Sequence, residues 1–272
     1  MTQINEYDLG AIKLTDYFTP NDKKIMKKLL LFTAVFTFIS LKTIVAQEVV
    51  SVAHFDKVTV SPHIQVVFTK GDQESVTIQS NSVSRDKVHI ESKGNILRVY
   101  LEGAKEFTKK GKSEEGDRVV SKPLYNGTVL TIAISYKTLA TLSVRGEETI
   151  KLKSKLDQDN FELIVYGESK IYIDDVQLKK MRTTIYGESY LELKAGNVTE
   201  QKFTAYGESK VDALAINSKV ARATLYGESK LNLNVSDQIN VTAFGEAKVA
   251  YKGNPTIKKG ITMGKPKIYK ID

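Results

Sequence analysis

The chain has 272 residues, room for one large or two modest domains, and its 41% hydrophobic and 26% charged content is that of a folded, water-exposed protein. Its formal charge of +8 is spread along the sequence, which fits a solvated basic surface, leaves an acidic polysaccharide or anionic surface open as a partner, and gives no sign of nucleic-acid binding. Cysteine is absent, so disulfides, thiolate catalysis, Cys-ligated zinc and a lipid anchor through an N-terminal cysteine are all excluded.

Residues 1–25 are polar and show no periodicity. Met26-Lys27-Lys28 then precedes an apolar run, Leu29 to Ile39, and Ile44-Val45-Ala46-Gln47 follows it. A positive start, a short apolar stretch and a small-residue end are the layout of a Sec-type secretory signal. The run falls short of the ~20 apolar residues that a membrane span needs. Cleavage is expected after Ala46, leaving no integral membrane segment in the mature chain. Met26 is then the expected start, with 1–25 an extension; an uncleaved anchor helix is the alternative.

From Val49 onward apolar and polar residues alternate. Val58 and Val60, Ile64 to Phe68, Val76 and Ile78, Val88 and Ile90, and Ile96 to Leu101 predict short strands separated by turn residues. Residues 103–122 are rich in Lys, Glu and Gly and predict a solvated loop; Val129 to Ile134 predict a further strand. His54, His63 and His89 have no metal-ligand spacing and read as surface or loop residues, so no metal or cofactor is expected.

The second half repeats. Tyr-Gly-Glu-Ser begins at Tyr166, Tyr186, Tyr206 and Tyr226, with an altered copy at Phe244-Gly245-Glu246-Ala247 and a degenerate one at Arg145-Gly146-Glu147-Glu148. A fixed period of about twenty residues is the mark of a stacked array. Odd positions around the first full copy, Phe161, Leu163, Val165, Ser169, Ile171 and Ile173, form one apolar face of a period-two strand. The mid-strand glycine predicts a corner with no room for a Cβ. If that corner is a bulge, facing after it inverts. β-Branched residues dominate and no helical period persists, so the fold class expected is all-β, a parallel β-helix with ~20-residue coils. The division is 47–140 for an N-terminal β region of irregular coils or a cap, 141–250 for the solenoid and 251–272 for a C-terminal cap. The sequons at Asn126, Asn197, Asn234 and Asn240 read as turn residues rather than glycosylation sites.

Stacked coils align like residues. Tyr166, Tyr186, Tyr206, Tyr226 and Phe244 would form an outward aromatic ladder, Glu168, Glu188, Glu208, Glu228 and Glu246 an acidic one, and Lys170, Lys210, Lys230 and Lys248 a basic one. The strip has two readings. It is a flat surface for sugar rings or a partner, or it is a set of rows that support one another, with lysine offsetting repulsion among the glutamates. Equivalent carboxylates on an open face do not suit catalysis, and no nucleophile elbow, phosphate loop or His-Glu-x-x-His occurs.

Phe55 to Gly71 (Phe-x-x-Val-x-Val-x-Pro-x-Ile-x-Val-x-Phe-x-x-Gly), Leu139 to Gly146 (Leu-x-x-Leu-x-Val-x-Gly), the Gly-x-Ser coils and Tyr251-Lys252-Gly253-Asn254-Pro255 appear in that order. Together they resemble the GIN domain family of Bacteroidetes, the auto-transporter adhesin head domain, over roughly 53–265. The resemblance implies a right-handed β-helix, export to the periplasm, cell surface or medium, and no transferable catalytic residues. No barrel segment precedes Asp272, so display by a route other than auto-transport is expected. The expected function is a non-enzymatic binding or scaffold protein whose partner is a surface glycan or envelope protein. The alternative is a carbohydrate-active β-helix enzyme, a lyase or glycosidase, drawing on the charged residues Lys109, Lys110, Glu114, Glu115 and Asp117.

Overall fold

The computed structural model describes residues 47–104, 110–115 and 118–272. The 1–25 extension and the 26–46 signal segment lie outside the described residues. Inside the expected 103–122 loop, Lys110–Glu115 and Arg118–Pro123 pair antiparallel as a separate two-stranded ribbon.

From Thr141 onward the chain winds as a parallel β-helix with three strand-bearing sides. On the first side, Thr141–Gly146 pairs in register with residues 162–167, then 182–187, 202–207 and 222–227, and the stack continues into 240–245. On the second, residues 149–152, 170–173, 190–193, 210–213, 230–233 and 248–251 stack likewise. On the third, residues 156–160 stack on 176–180, 196–200 and 216–220. Parallel pairing is possible because each coil is its own crossover connection.

The N-terminal region supplies two more coils in non-sequential order. Lys57–Val60 pairs with Thr141–Gly146 on one edge and Ile96–Leu101 on the other; Ile64–Lys70 lies between Thr149–Leu152 and Leu130–Tyr136. Beyond them the sheet turns antiparallel: Ser75–Asn81 pairs with Leu130–Tyr136 and with Glu48–Ser51, and Val88–Lys93 with Ile96–Leu101. The region is thus both early coils and cap. Residues 251–272, expected as a cap, build one more coil: Thr256–Gly264 and Lys267–Lys270 run parallel to the coil before them. Among the described residues no helix is long and apolar enough to cross a membrane.

One contiguous core runs the length of the stack. Its rows mix sizes, so that Phe203 lies between Thr183 and Ala223 of the coils on either side. Phe161 sits on Met181, Gln201, Ala221 and Ile239; Leu163 on Thr183, Phe203, Ala223 and Val241. This interdigitation fills the interior without one repeated residue.

The repeat glycines are corners, as the alternation predicts. Gly167, Gly187, Gly207, Gly227 and Gly245 have φ of +113°, +123°, +118°, +106° and +124°. A Cβ on Gly207 would stand 2.6 Å from the Gly187 carbonyl oxygen. That carbonyl has work of its own, because corner carbonyls accept donors from the next coil, and those of Gly146, Gly167 and Gly207 accept two each. Gly146 O accepts from Glu168 N at 3.0 Å and Ser169 Oγ at 2.8 Å; Gly207 O accepts from Glu228 N and Ser229 Oγ, each at 3.1 Å. The serine is therefore buried yet satisfied. Facing does not invert after the corner, since Ser169, Ser189, Ser209, Ser229 and Ala247 all point inward. Asn197 and Asn234 belong to a side-chain ladder at another corner: Asn217 Nδ2 donates to Asn197 Oδ1, and Asn234 Nδ2 to Asn217 Oδ1, both at 3.1 Å.

Candidate binding ridge and corner groove

The predicted aromatic ladder is formed. Ring centroids of Tyr166, Tyr186, Tyr206, Tyr226 and Phe244 are 4.9, 4.9, 4.7 and 5.0 Å apart in turn, with interplanar angles of 1–6°. This is offset stacking at strand spacing. Each ring covers its neighbour's face, so edges and hydroxyls meet solvent. A flat platform for sugar rings, one of the two expectations, is not what the ladder presents.

The acidic row, Glu168, Glu188, Glu208, Glu228 and Glu246, occupies the outer side of the glycine corner and is exposed. Register adds Glu147 to it, since Thr149 pairs with Lys170, and places His63 beyond Glu147. Lys265, whose N–H donates to Gly245 O at 3.0 Å, ends the row on the other side. The basic row Lys170, Lys210, Lys230 and Lys248 is also formed, with Tyr190 between its first two members. Among the described residues no ion pair joins it to the glutamate row. Lys210 Nζ lies 5.6 Å from the Tyr190 ring centroid instead, and burial followed by the Glu192 and Asp212 charges pushes the Tyr190 phenol up to about 12.

The degenerate first copy changes the corner's chemistry. Arg145 stands in register with Tyr166, and Glu148 takes the place that serine holds in the next four coils. Glu148 turns inward, with 6% of its side chain exposed. Its Oε2 accepts the Glu147 N–H at 3.0 Å, and its Oε1 lies 3.8 Å from His63 Nδ1. His63 Nδ1 is 2.8 Å from the Gly127 carbonyl, which can only accept, so Nδ1 carries a proton and donates it there. The preceding coil makes its corner at Pro62-His63, and among the described residues His63 alone, apart from glycines, has positive φ, +70°. The Arg145 guanidinium lies 5.5 Å from the Tyr166 ring centroid, over the end of the ladder.

These residues line a groove of about 340 Å³ that Tyr166, Glu168 and Tyr186 also border. Segment 124–129 crosses one end of it. There the Tyr125 ring lies 5.7 Å from the His63 ring, and Val129 N donates to His63 O at 3.0 Å. The other end opens onto the ladder.

Of the residues singled out in the sequence, Tyr166, Tyr186 and Glu168 therefore border the groove. Tyr206, Tyr226, Phe244, Glu188, Glu208, Glu228, Lys170, Lys210 and Lys230 continue the ridge away from it. His63, Arg145, Glu147 and Glu148 were missed as site residues. The degenerate copy was itself the signal for three of them. For His63 only the positive-φ corner, invisible in sequence, gives it away. Of the other histidines, His54 pairs with Glu74 at 3.0 Å and His89 stacks on Tyr100. A non-repeated charged residue set lines this groove; of the 103–122 cluster, Lys109 and Asp117 lie outside the described residues.

Solved structures of similar fold include proteins of Bacteroides and Parabacteroides. A "putative adhesin" of Bacteroides fragilis matches with TM-score 0.69 at 18% identity, covering 83% of this chain and 96% of that one. A "putative lipid binding protein" of Parabacteroides distasonis matches with TM-score 0.60 at 19% identity over 83% and 96%. A "putative adhesin" of Parabacteroides merdae matches with TM-score 0.58 at 15% identity over 84% and 96%. Among curated proteins no match was found. The family model described as "Putative auto-transporter adhesin, head GIN domain" matches residues 54–255, and the chain belongs to that family.

Proposed function

We propose that this chain is an exported, non-enzymatic binding protein of the adhesin kind, and that a surface glycan or envelope protein engages the tyrosine ridge and the groove at its end. One observation carries the reading. In a stack of similar corners the degenerate first copy opens a groove, and the groove is continuous with the five-ring aromatic ridge. The names of the solved relatives support the same direction, and the 26–46 pattern supports export.

The test is retention of the full chain on immobilised envelope polysaccharide and on whole cells, for wild type and for Tyr186→Ala with Tyr206→Ala. The reading predicts at least a tenfold loss of retention, about 1.4 kcal/mol, in the double variant. Unchanged retention by a folded variant would retire the ridge as a site.

A carbohydrate-cleaving reading has one observation in its favour, the non-repeated carboxylate Glu148 beside Glu147 and His63. Release of reducing sugar or unsaturated product from a polysaccharide panel would replace the binding reading with this one.

A further inference from the structure

The groove's chemistry limits what can occupy it. We infer that it receives the terminal residue of a neutral or amino-bearing saccharide chain, whose following residues lie along the tyrosine ridge. This rests on the binding reading above and specifies its ligand.

Size and shape come first. A volume of about 340 Å³ is at the small end of ligand sites, which run roughly 300–1,000 Å³. It accepts one end of an oligomer, not a folded domain. Segment 124–129 crosses the groove at His63, so a chain cannot pass straight through along the corner row. At Tyr166 and Tyr186 the groove is open, so a chain can leave along the ridge.

Polarity is the second constraint. Glu147, Glu148 and Glu168 offer acceptors, while Arg145 offers donors. A hydroxyl both donates and accepts, so adjacent hydroxyls of a sugar ring can satisfy both kinds of group at once. A hydrocarbon chain can satisfy neither and would strand the carboxylates.

Charge is the third. Three carboxylates line it with one guanidinium and one imidazole, so the groove is net negative in either state of the ring. A uronate or sulfated sugar is repelled there despite the positive charge of the whole chain. An ammonium on an amino sugar is attracted. The stacked rings add a fourth constraint. Arg145 covers one face of Tyr166 and Tyr186 the other. Recognition must therefore come through polar contacts and ring edges rather than by a sugar lying flat on a ring.

The experiment uses the full chain on an array of neutral, amino-bearing and hexuronate oligosaccharides attached through their reducing ends, with the neutral set also attached through the opposite end. Binding is expected to neutral or amino-bearing chains with a free non-reducing end. Arg145→Tyr and Glu148→Ser each rewrite the first copy toward the later ones, so the stack keeps its fold, verified by thermal melting. Each should lose at least about tenfold in binding. Glu148→Gln keeps the shape and the acceptor for Glu147 N–H, and should selectively lose amino-sugar binding.

Preference for hexuronates, equal binding to chains blocked at the free end, wild-type binding by Glu148→Ser, or no saccharide bound would each overturn the inference. If Tyr206→Ala with Tyr226→Ala abolishes retention on cells while Glu148→Ser binds as wild type, the ridge reading stands and the groove inference falls. If neither changes retention, both fall.

Discussion

Replacing Gly207 with alanine probes the physics of the corner. Gly207 has φ +118°, a region that L side chains rarely adopt, and the new Cβ would lie 2.6 Å from the Gly187 carbonyl oxygen. Backbone strain of this kind costs of order 1–3 kcal/mol. Relieving the contact requires the two coils to part at the corner, which weakens the Ser209 Oγ bond to Gly187 O, 2.9 Å long and worth about 1 kcal/mol. The sum is roughly 2–4 kcal/mol, a large share of the 5–15 kcal/mol by which a domain is stable. Urea unfolding should show the midpoint falling with little change in slope. Ser209→Ala is the control. It loses the hydroxyl bond alone, and Ala247 shows that the inward site accepts a methyl group, so about 1 kcal/mol is expected. If Gly207→Ala costs no more than Ser209→Ala, the claim that glycine is there for want of space is wrong.

Other consequences follow from buried polar atoms and from the chain's beginning. Gln201 is buried on Met181 and Ala221, its Nε2 donating to the buried Ser218 hydroxyl while Oε1 lacks a partner, so Gln201→Met together with Ser218→Ala should stabilise by about 1 kcal/mol in the same assay. The Tyr136 hydroxyl is buried without a partner, and burial pushes its phenol up to about 12. An unfolded phenol titrates near 10. A folded value above the unfolded one means that its contribution is complete below about pH 10 and is lost as pH rises toward 12. Tyr136→Phe should therefore raise stability by about 1 kcal/mol at neutral pH and reduce the alkaline loss; a variant unfolding at the same pH as wild type would count against this. N-terminal sequencing of exported protein should read from Gln47, and a mature chain still holding Leu29 would rule out signal cleavage.

The solenoid was legible because its physics is local and repeated. The two-residue period at Phe161 to Ile173 fixes facing, and the glycine at each corner fixes the coil length. The N-terminal order was not legible. That Lys57–Val60 lies between Ile96–Leu101 and Thr141–Gly146 depends on pairing across long sequence distances, and short apolar runs carry no address. The ridge was legible as rows, and of the two readings of it the mutual support of the tyrosines follows from strand spacing, which stacks each ring on the next. The groove was half legible. Arg145-Gly146-Glu147-Glu148 was noticed as a flawed repeat, and the flaw is the site. His63 comes to Glu148 from 85 residues earlier in the chain, and no spacing rule links them.

Amide hydrogen exchange of the full chain, with and without a saturating neutral oligosaccharide, tests the central claim most directly. Protection is predicted at residues 63–64, 145–148 and 166–168, fading along 186–188. Protection centred on the second side at 190–193 and 210–213, or on the last coil at 256–270, would place the ligand elsewhere and contradict the account.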